Sequence, residues 1–278
     1  MIQDVLGLPV ELAAPFDFSF LARYGTPFCV FDQQQSGNIA FGMQSAQWGK
    51  LFVKFAGAPT VNARIAPAPA AEALCLAMSA YQALYAHPTL VKLLGCGTVA
   101  GGYAAVFRWA EGVSLYPGTR FSPAERYTHA DSPLYQLSHQ PLIVRLRMLD
   151  NVFDFHRYAL SKGFMAVDFY DGSLLADFST GRVTVCDIDL YRRMPCRNDR
   201  AEHYPSYAIF LSDWREAVGR IAVYWFLCLP YSPGHAMISM SSSLTLPFET
   251  TMEVTNEEMV FPDAAAGDAV AVQYCFGV

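Results

Sequence analysis

Three side chains stand out by type and position. Lys54 interrupts the apolar run Leu51-Phe52-Val53-Lys54-Phe55. An ammonium in such a run is costly unless it snorkels to solvent or meets a negative partner. It is therefore either a strand-edge lysine or a lysine aimed at an anion. Asp168 follows Phe164-Met165-Ala166-Val167, and Asp187 follows Val183-Thr184-Val185-Cys186. Each carboxylate stands where a short strand gives way to a loop, a common place for functional groups. Two acids at neighbouring strand ends suit a proton acceptor and a metal ligand. Mg²⁺ in particular favours one or two carboxylates plus phosphate oxygens over an all-protein cage. Asp171 and Asp177 read as turn residues.

The elements that must position these groups follow from periodicity. Residues 28–31, 39–43 and 50–55 are apolar or aromatic runs separated by Gly and Asn, which predicts an antiparallel meander. Residues 70–85 are rich in Ala, Leu and Met. Leu74, Met78, Tyr81 and Leu84 recur there at threes and fours, the spacing of one helix face. His87-Pro88 ends that helix. Residues 90–94 and 103–109 read as two more strands, and 114–141 as mostly loop. Residues 142–161 predict a long helix with Leu146, Leu149, Val152, Phe153, His156 and Leu160 on one side. Gly163 closes it. Short strands are expected at 165–167, 174–176 and 183–186. The first 30 residues give no clear period. The order is α+β, with a split near residues 109–115.

Composition narrows the class. The 278-residue chain is 53% hydrophobic and 16% charged, enough for a substantial core. Its net charge is −6 and no Lys/Arg stripe occurs, which argues against a nucleic-acid partner. The seven cysteines are scattered without paired spacing, so free thiols in a reducing compartment are expected rather than zinc or disulfides. The start carries Asp4 and Glu11 and no leader-like pattern. The longest strongly apolar run, 221–230, is too short to span a bilayer. The expectation is a cytoplasmic protein with no membrane partner. His87 and His156 read as structural, and no zinc-protease, serine-hydrolase or P-loop motif is present.

Taken in order, these segments resemble the protein-kinase-like superfamily, in particular bacterial serine/threonine-kinase-like proteins. "LFVKF" is similar to the kinase third strand, "HPTLVKLLG" to the end of the αC helix and the strand after it, and "AAVFRWAEG" to the fifth strand and hinge. "GFMAVDFYDGSLLADFSTGRVTVCDID" resembles the catalytic loop, its hairpin and the metal-binding motif. The resemblance covers roughly residues 25–193. It implies a two-lobe fold: an extension at 1–24, an antiparallel N-lobe sheet with the αC helix at 25–110, and a mainly helical C-lobe at 111–236. An atypical tail would occupy 237–278. It implies ATP and Mg²⁺ as cofactors, and a protein or small-alcohol hydroxyl as acceptor. Lys54 would orient phosphates, with Glu72 as its αC partner. Asp168 would be the catalytic aspartate, Asp187 the metal ligand and Ser173 a second one. The Ser36-Gly37-Asn38 turn would offer backbone N–H groups to phosphate.

The sequence also departs from that pattern. Ala166-Val167 replaces the histidine-arginine pair, Tyr170 replaces a lysine, and the glycine loop is thin. The metal motif reads Asp187-Ile188-Asp189, closer to aminoglycoside or choline phosphotransferases. Two further readings are thus a catalytically impaired pseudokinase serving as a binding or regulatory module, and a small-molecule kinase. Residues 212–229 are expected to form an αF-like helix. Beyond 237 the sequence is β-prone or irregular, which predicts a truncated or altered C-lobe, as a shifted reading frame would give.

Overall fold

The computed structural model describes residues 1–116, 120–122 and 124–194, with the strands Leu244–Thr245, Thr251–Met252, Glu258–Pro262 and Ala269–Gln273. The chain is mixed α/β and forms two compact units. The first comprises 1–114, 155–177 and 183–193; the second comprises 115–154, 178–182 and 194–278. The first ends its opening segment at Ser114. It also takes in residues 1–24 and the segments carrying Asp168 and Asp187, which the sequence reading assigned to an extension and a C-lobe.

A five-stranded antiparallel sheet is the frame of the first unit. Its strands are β3 (Thr26–Phe31), β4 (Asn38–Ser45), β5 (Gly49–Ala56), β6 (Leu93–Val99) and β7 (Gly102–Arg108), in the order β3-β4-β5-β7-β6. The meander appears as expected. The strand expected at 90–94 instead runs on through Gly95-Cys96-Gly97-Thr98, glycines that sequence reading treats as punctuation.

The sheet has two faces, and pairing assigns residues to each. Ala40, Lys54 and Ala105 are cross-strand neighbours and share the inner face. Helix α1 (Pro67–Ala83) packs there, burying Leu74, Met78 and Tyr81. The helix begins with proline in its first turn and has no β-branched residue, both favourable. Lys92 Nζ donates to Tyr85 O and His87 O, both at 2.8 Å, satisfying carbonyls just beyond its end.

The outer face is covered by the first 24 residues. Hairpin β1 (Ile2–Val5) and β2 (Leu8–Glu11) turns through Leu6-Gly7, both at positive φ. A short 3₁₀ segment, Ser19–Tyr24, follows. Val10, Leu12, Phe18, Phe20 and Leu21 are buried with Phe41, Val53 and Phe55 in one core. Phe20 and Phe55 lie 4.9 Å apart, and Phe18 meets Phe41 edge-on at 5.5 Å. These contacts are tilted or edge-on and join Phe18 and Phe20 to residues far along the chain, which local spacing does not reveal.

Five short strands follow: β8 (Val113–Ser114), β9 (Phe164–Ala166), β10 (Leu174–Asp177), β11 (Arg182–Val185) and β12 (Tyr191–Arg193), the last pairing β9. Order β11-β10-β8 forms a small sheet.

The second unit holds α2 (Glu125–Thr128) and α3 (Pro133–Ser138), where loop was expected, and residues 142–154 of α4 (Leu142–Ser161). Ser122 and Glu125 exchange hydrogen bonds at the start of α2, a capping box. The buried stripe of α4 is Met148, Leu149, Val152, Phe155, His156 and Ala159. Leu149, Val152 and His156 lie on the expected face, while Phe155 and Ala159 replace Phe153 and Leu160. Strands 244–245 and 251–252 pair, as do 258–262 and 269–273. The expected αF-like helix lies outside the described residues. Among the described residues no helix is long and apolar enough to cross a membrane.

Candidate functional site

Lys54 and Asp187 are brought together by backbone pairing. After α1 the chain runs beside β11: Val185 N–H donates to Thr89 O at 2.8 Å, and Val91 N–H donates to Val185 O at 3.0 Å. Cys186 N–H then donates to Ser173 O at 2.9 Å. The residues that follow β11 are thereby held against the inner face of the five-stranded sheet.

Lys54 Nζ lies 2.5 Å from Asp189 Oδ2 and 3.6 Å from Asp187 Oδ1. Its side chain is 8% exposed, against 19% for Asp189 and 36% for Asp187. Burial alone would pull the ammonium down. The charges of Asp187 and Asp189 and the hydrogen bond to Asp189 outweigh it and hold Lys54 above its ordinary range. Of the two readings from the sequence, the lysine aimed at an anion is the one observed.

Asp189 is the enclosed partner. Its Oδ2 also accepts from Asn38 Nδ2 at 3.4 Å, and its Oδ1 accepts from the Tyr81 hydroxyl at 3.1 Å. The same hydroxyl accepts the Ile188 N–H at 3.1 Å. Burial first, then the charge of Asp187, raises the Asp189 carboxyl, opposed by Lys54 and Tyr81. Asp187 Oδ1 accepts the Asp189 N–H at 3.1 Å. Asp187 is thus the more exposed member, oriented by backbone.

Asp168 is half-buried beyond β9. It belongs to the same electrostatic neighbourhood: burial raises the Tyr170 hydroxyl, and the charges of Asp187 and Asp168 raise it further, opposed by Lys54. The Cys186 thiol, pushed up to about 12 by burial and then by Asp187, stays protonated and is no nucleophile.

The remaining expected residues divide. Asn38 joins the group through its side-chain amide. Gly37 has φ +75° and its α-carbon faces Ala70, where a Cβ would come within 3.0 Å. Ser36 is exposed in the turn and outside the group. Ser173 is buried, and its backbone anchors Tyr170 and Cys186. Glu72 is exposed in the early part of α1. Its expected pairing with Lys54 is not what the structure shows: the carboxylates that meet Lys54 are Asp187 and Asp189. Tyr81 and Asp189 went unassigned in the sequence. The doubled acid in Asp187-Ile188-Asp189 was a usable signal for Asp189; a tyrosine on an apolar helix face gave none.

Beside Lys54 the inner face carries the small buried residues Ala40 and Gly42, and Phe31, across from Ala40, is exposed. At a bulge in β3, Phe28 and Cys29 both lean over Gly42, where a Cβ would come within 2.7 Å of the Phe28 ring. Phe31 and Phe52 lie 5.8 Å apart.

Among the described residues no group of three or more His, Cys, Asp or Glu side chains gathers as a metal site. A cation held by one or two carboxylates and ligand oxygens needs no such group, and Asp187 is the more exposed carboxylate of the pair. No protein-family model matches the chain, and no curated protein matches it.

Proposed function

We propose that the protein is an ATP- and Mg²⁺-dependent phosphotransferase of the protein-kinase-like type, passing the γ-phosphate to a hydroxyl. The observation that carries this reading is the buried Lys54–Asp187–Asp189 group joining β5 to the segment after β11. The helix between the third and fourth strands of the five-stranded sheet supports it.

In this reading Lys54 orients phosphate oxygens, and Asp187 holds the cation, which supplies charge neutralisation when bound. Asp168 accepts the proton of the attacking hydroxyl. Catalysis is then mostly positioning and electrostatics. The acceptor is a protein or a small alcohol, the latter favoured by the second acid, Asp189.

A second reading, a nucleotide-binding or regulatory module without turnover, is favoured by one observation. Lys54 is already enclosed by two carboxylates and largely removed from solvent. Phosphate release from ATP with Mg²⁺, with and without protein and alcohol acceptors, separates the two. Turnover lost in Asp168→Asn supports phosphotransfer; nucleotide-induced stabilisation without turnover in either protein supports the module.

A further inference from the structure

We propose that the outer face of the sheet carries a binding trough for a flat aromatic carboxylate, at the end the amino-terminal cap leaves open. This site is separate from the Lys54 group and does not rest on the phosphotransfer reading. Phe18, Phe20 and Leu21 cover the outer face over β4 and β5. Toward the edge strand β6 the outward positions become small: Gly95 stands opposite Val106, and Gly97 opposite Ala104. A trough of ≈ 510 Å³ opens there. Volumes of roughly 300–1,000 Å³ are usual for small-molecule sites.

Neither glycine has a positive φ, and a Cβ built on either meets nothing within 4 Å. The backbone therefore does not require glycine at 95 or 97. Glycine in a strand is unfavourable next to residues with side chains. What the two glycines preserve is space, and the peptide planes between them offer a flat floor.

The walls suit a ring. Tyr24 and Trp48 line the trough, and Trp48 is exposed. Aromatic side chains favour offset or edge contacts with a planar ligand. The charged residue of this lining is Arg23. Its Nε donates to Phe20 O at 3.1 Å, and its guanidinium stands 5.8 Å from the Tyr24 ring centroid, which fixes it at the rim. A guanidinium matches a carboxylate in charge and shape. A flat glycine floor, aromatic walls and one cationic rim group together select a flat ring carrying a single carboxylate.

The test is calorimetric titration of the full chain with naphthoate and with the uncharged isostere naphthamide. The expected result is saturable naphthoate binding at a single site, with naphthamide about tenfold weaker or worse. Gly97→Leu, filling the floor while keeping a cooperative melt, should weaken naphthoate by about tenfold or more. Arg23→Gln should bring the two probes to similar affinity. Should Gly97→Leu fail to fold, Trp48→Ala at the exposed wall gives the same readout. Absence of saturable naphthoate binding to the folded chain would overturn the proposal. So would unchanged affinity in a folded Gly97→Leu or in Trp48→Ala, or a naphthoate preference that survives Arg23→Gln.

Discussion

The Tyr81 hydroxyl donates to Asp189 Oδ1 at 3.1 Å and accepts the Ile188 N–H at the same distance. One buried oxygen on α1 therefore holds both the carboxylate and the backbone of the segment that follows β11. Tyr81→Phe keeps the ring against Phe107, 4.9 Å away, and removes only that oxygen. Two buried partners lose a hydrogen bond. The expected cost is about 1–3 kcal/mol, because a polar group left unsatisfied forfeits its solvation. Urea denaturation of the two proteins checks this, and an indistinguishable midpoint and slope would refute it.

Lys54 makes the larger demand. Replacing it with Met leaves Asp187 and Asp189 facing each other without a cation. Breaking a buried pair by removing one partner costs about 3–5 kcal/mol, far more than an exposed ion pair is worth. The double variant Lys54→Met/Asp189→Leu removes the enclosed charge as well. It is expected to recover part of the loss, the signature of coupled residues. A double variant no more stable than Lys54→Met alone would count against the pairing as the source of the cost.

How much of this was legible follows from the residues themselves. Lys54 was legible because an ammonium in a strand is anomalous by type, and Asp168 and Asp187 because they end apolar runs. The meander was legible from apolar runs separated by Gly and Asn, and α1 from apolar residues at threes and fours. Glu72 was misjudged because chain order says nothing of which way an early helical residue points; it points to solvent. Tyr81 shares the period of the core and so looked like core. The amino-terminal cap is held by rings meeting across the sheet, contacts that depend on tertiary geometry rather than spacing. The extension of β6 was hidden by Gly95 and Gly97, which by type alone read as turn residues rather than strand.

Alkaline pH should unfold the protein through its buried hydroxyls. Burial first, then the charges of Asp189 and Asp187, raises Tyr81 well above its ordinary value, and burial first, then Asp187, does the same for Tyr191. The folded values exceed the unfolded one, so the stabilisation is fully present below the unfolded value of 10.0 and is lost as pH rises through the folded values. Lys54 acts with the same sign above its unfolded value of 10.5. Each group contributes a slope of about 1.4 kcal/mol per pH unit once the unfolded form has titrated. Stability should therefore hold to about pH 9 and fall beyond about pH 10. Tyr81→Phe should fall less steeply by about one group's slope. Equal slopes in denaturant titrations across this range would contradict the assignment.

The two exposed-side acids should separate binding from chemistry. Asp187 is the least buried member of the lysine group, and Asp168 is half-buried beyond β9. In the phosphotransfer reading, Asp187→Asn weakens the cation contact and abolishes the Mg²⁺-dependent thermal shift produced by ATP. A ligand at a hundred times its dissociation constant stabilises by about 2.7 kcal/mol, so loss of the shift is readily measured. Asp168→Asn should keep that shift, because it removes a proton acceptor rather than a binding group. Its turnover should fall by about a hundredfold or more, the usual worth of general base catalysis. Reversal of this pattern, with Asp168→Asn losing the shift and Asp187→Asn keeping it, would exchange the two roles. An ATP shift untouched by either change would move nucleotide binding away from this group altogether.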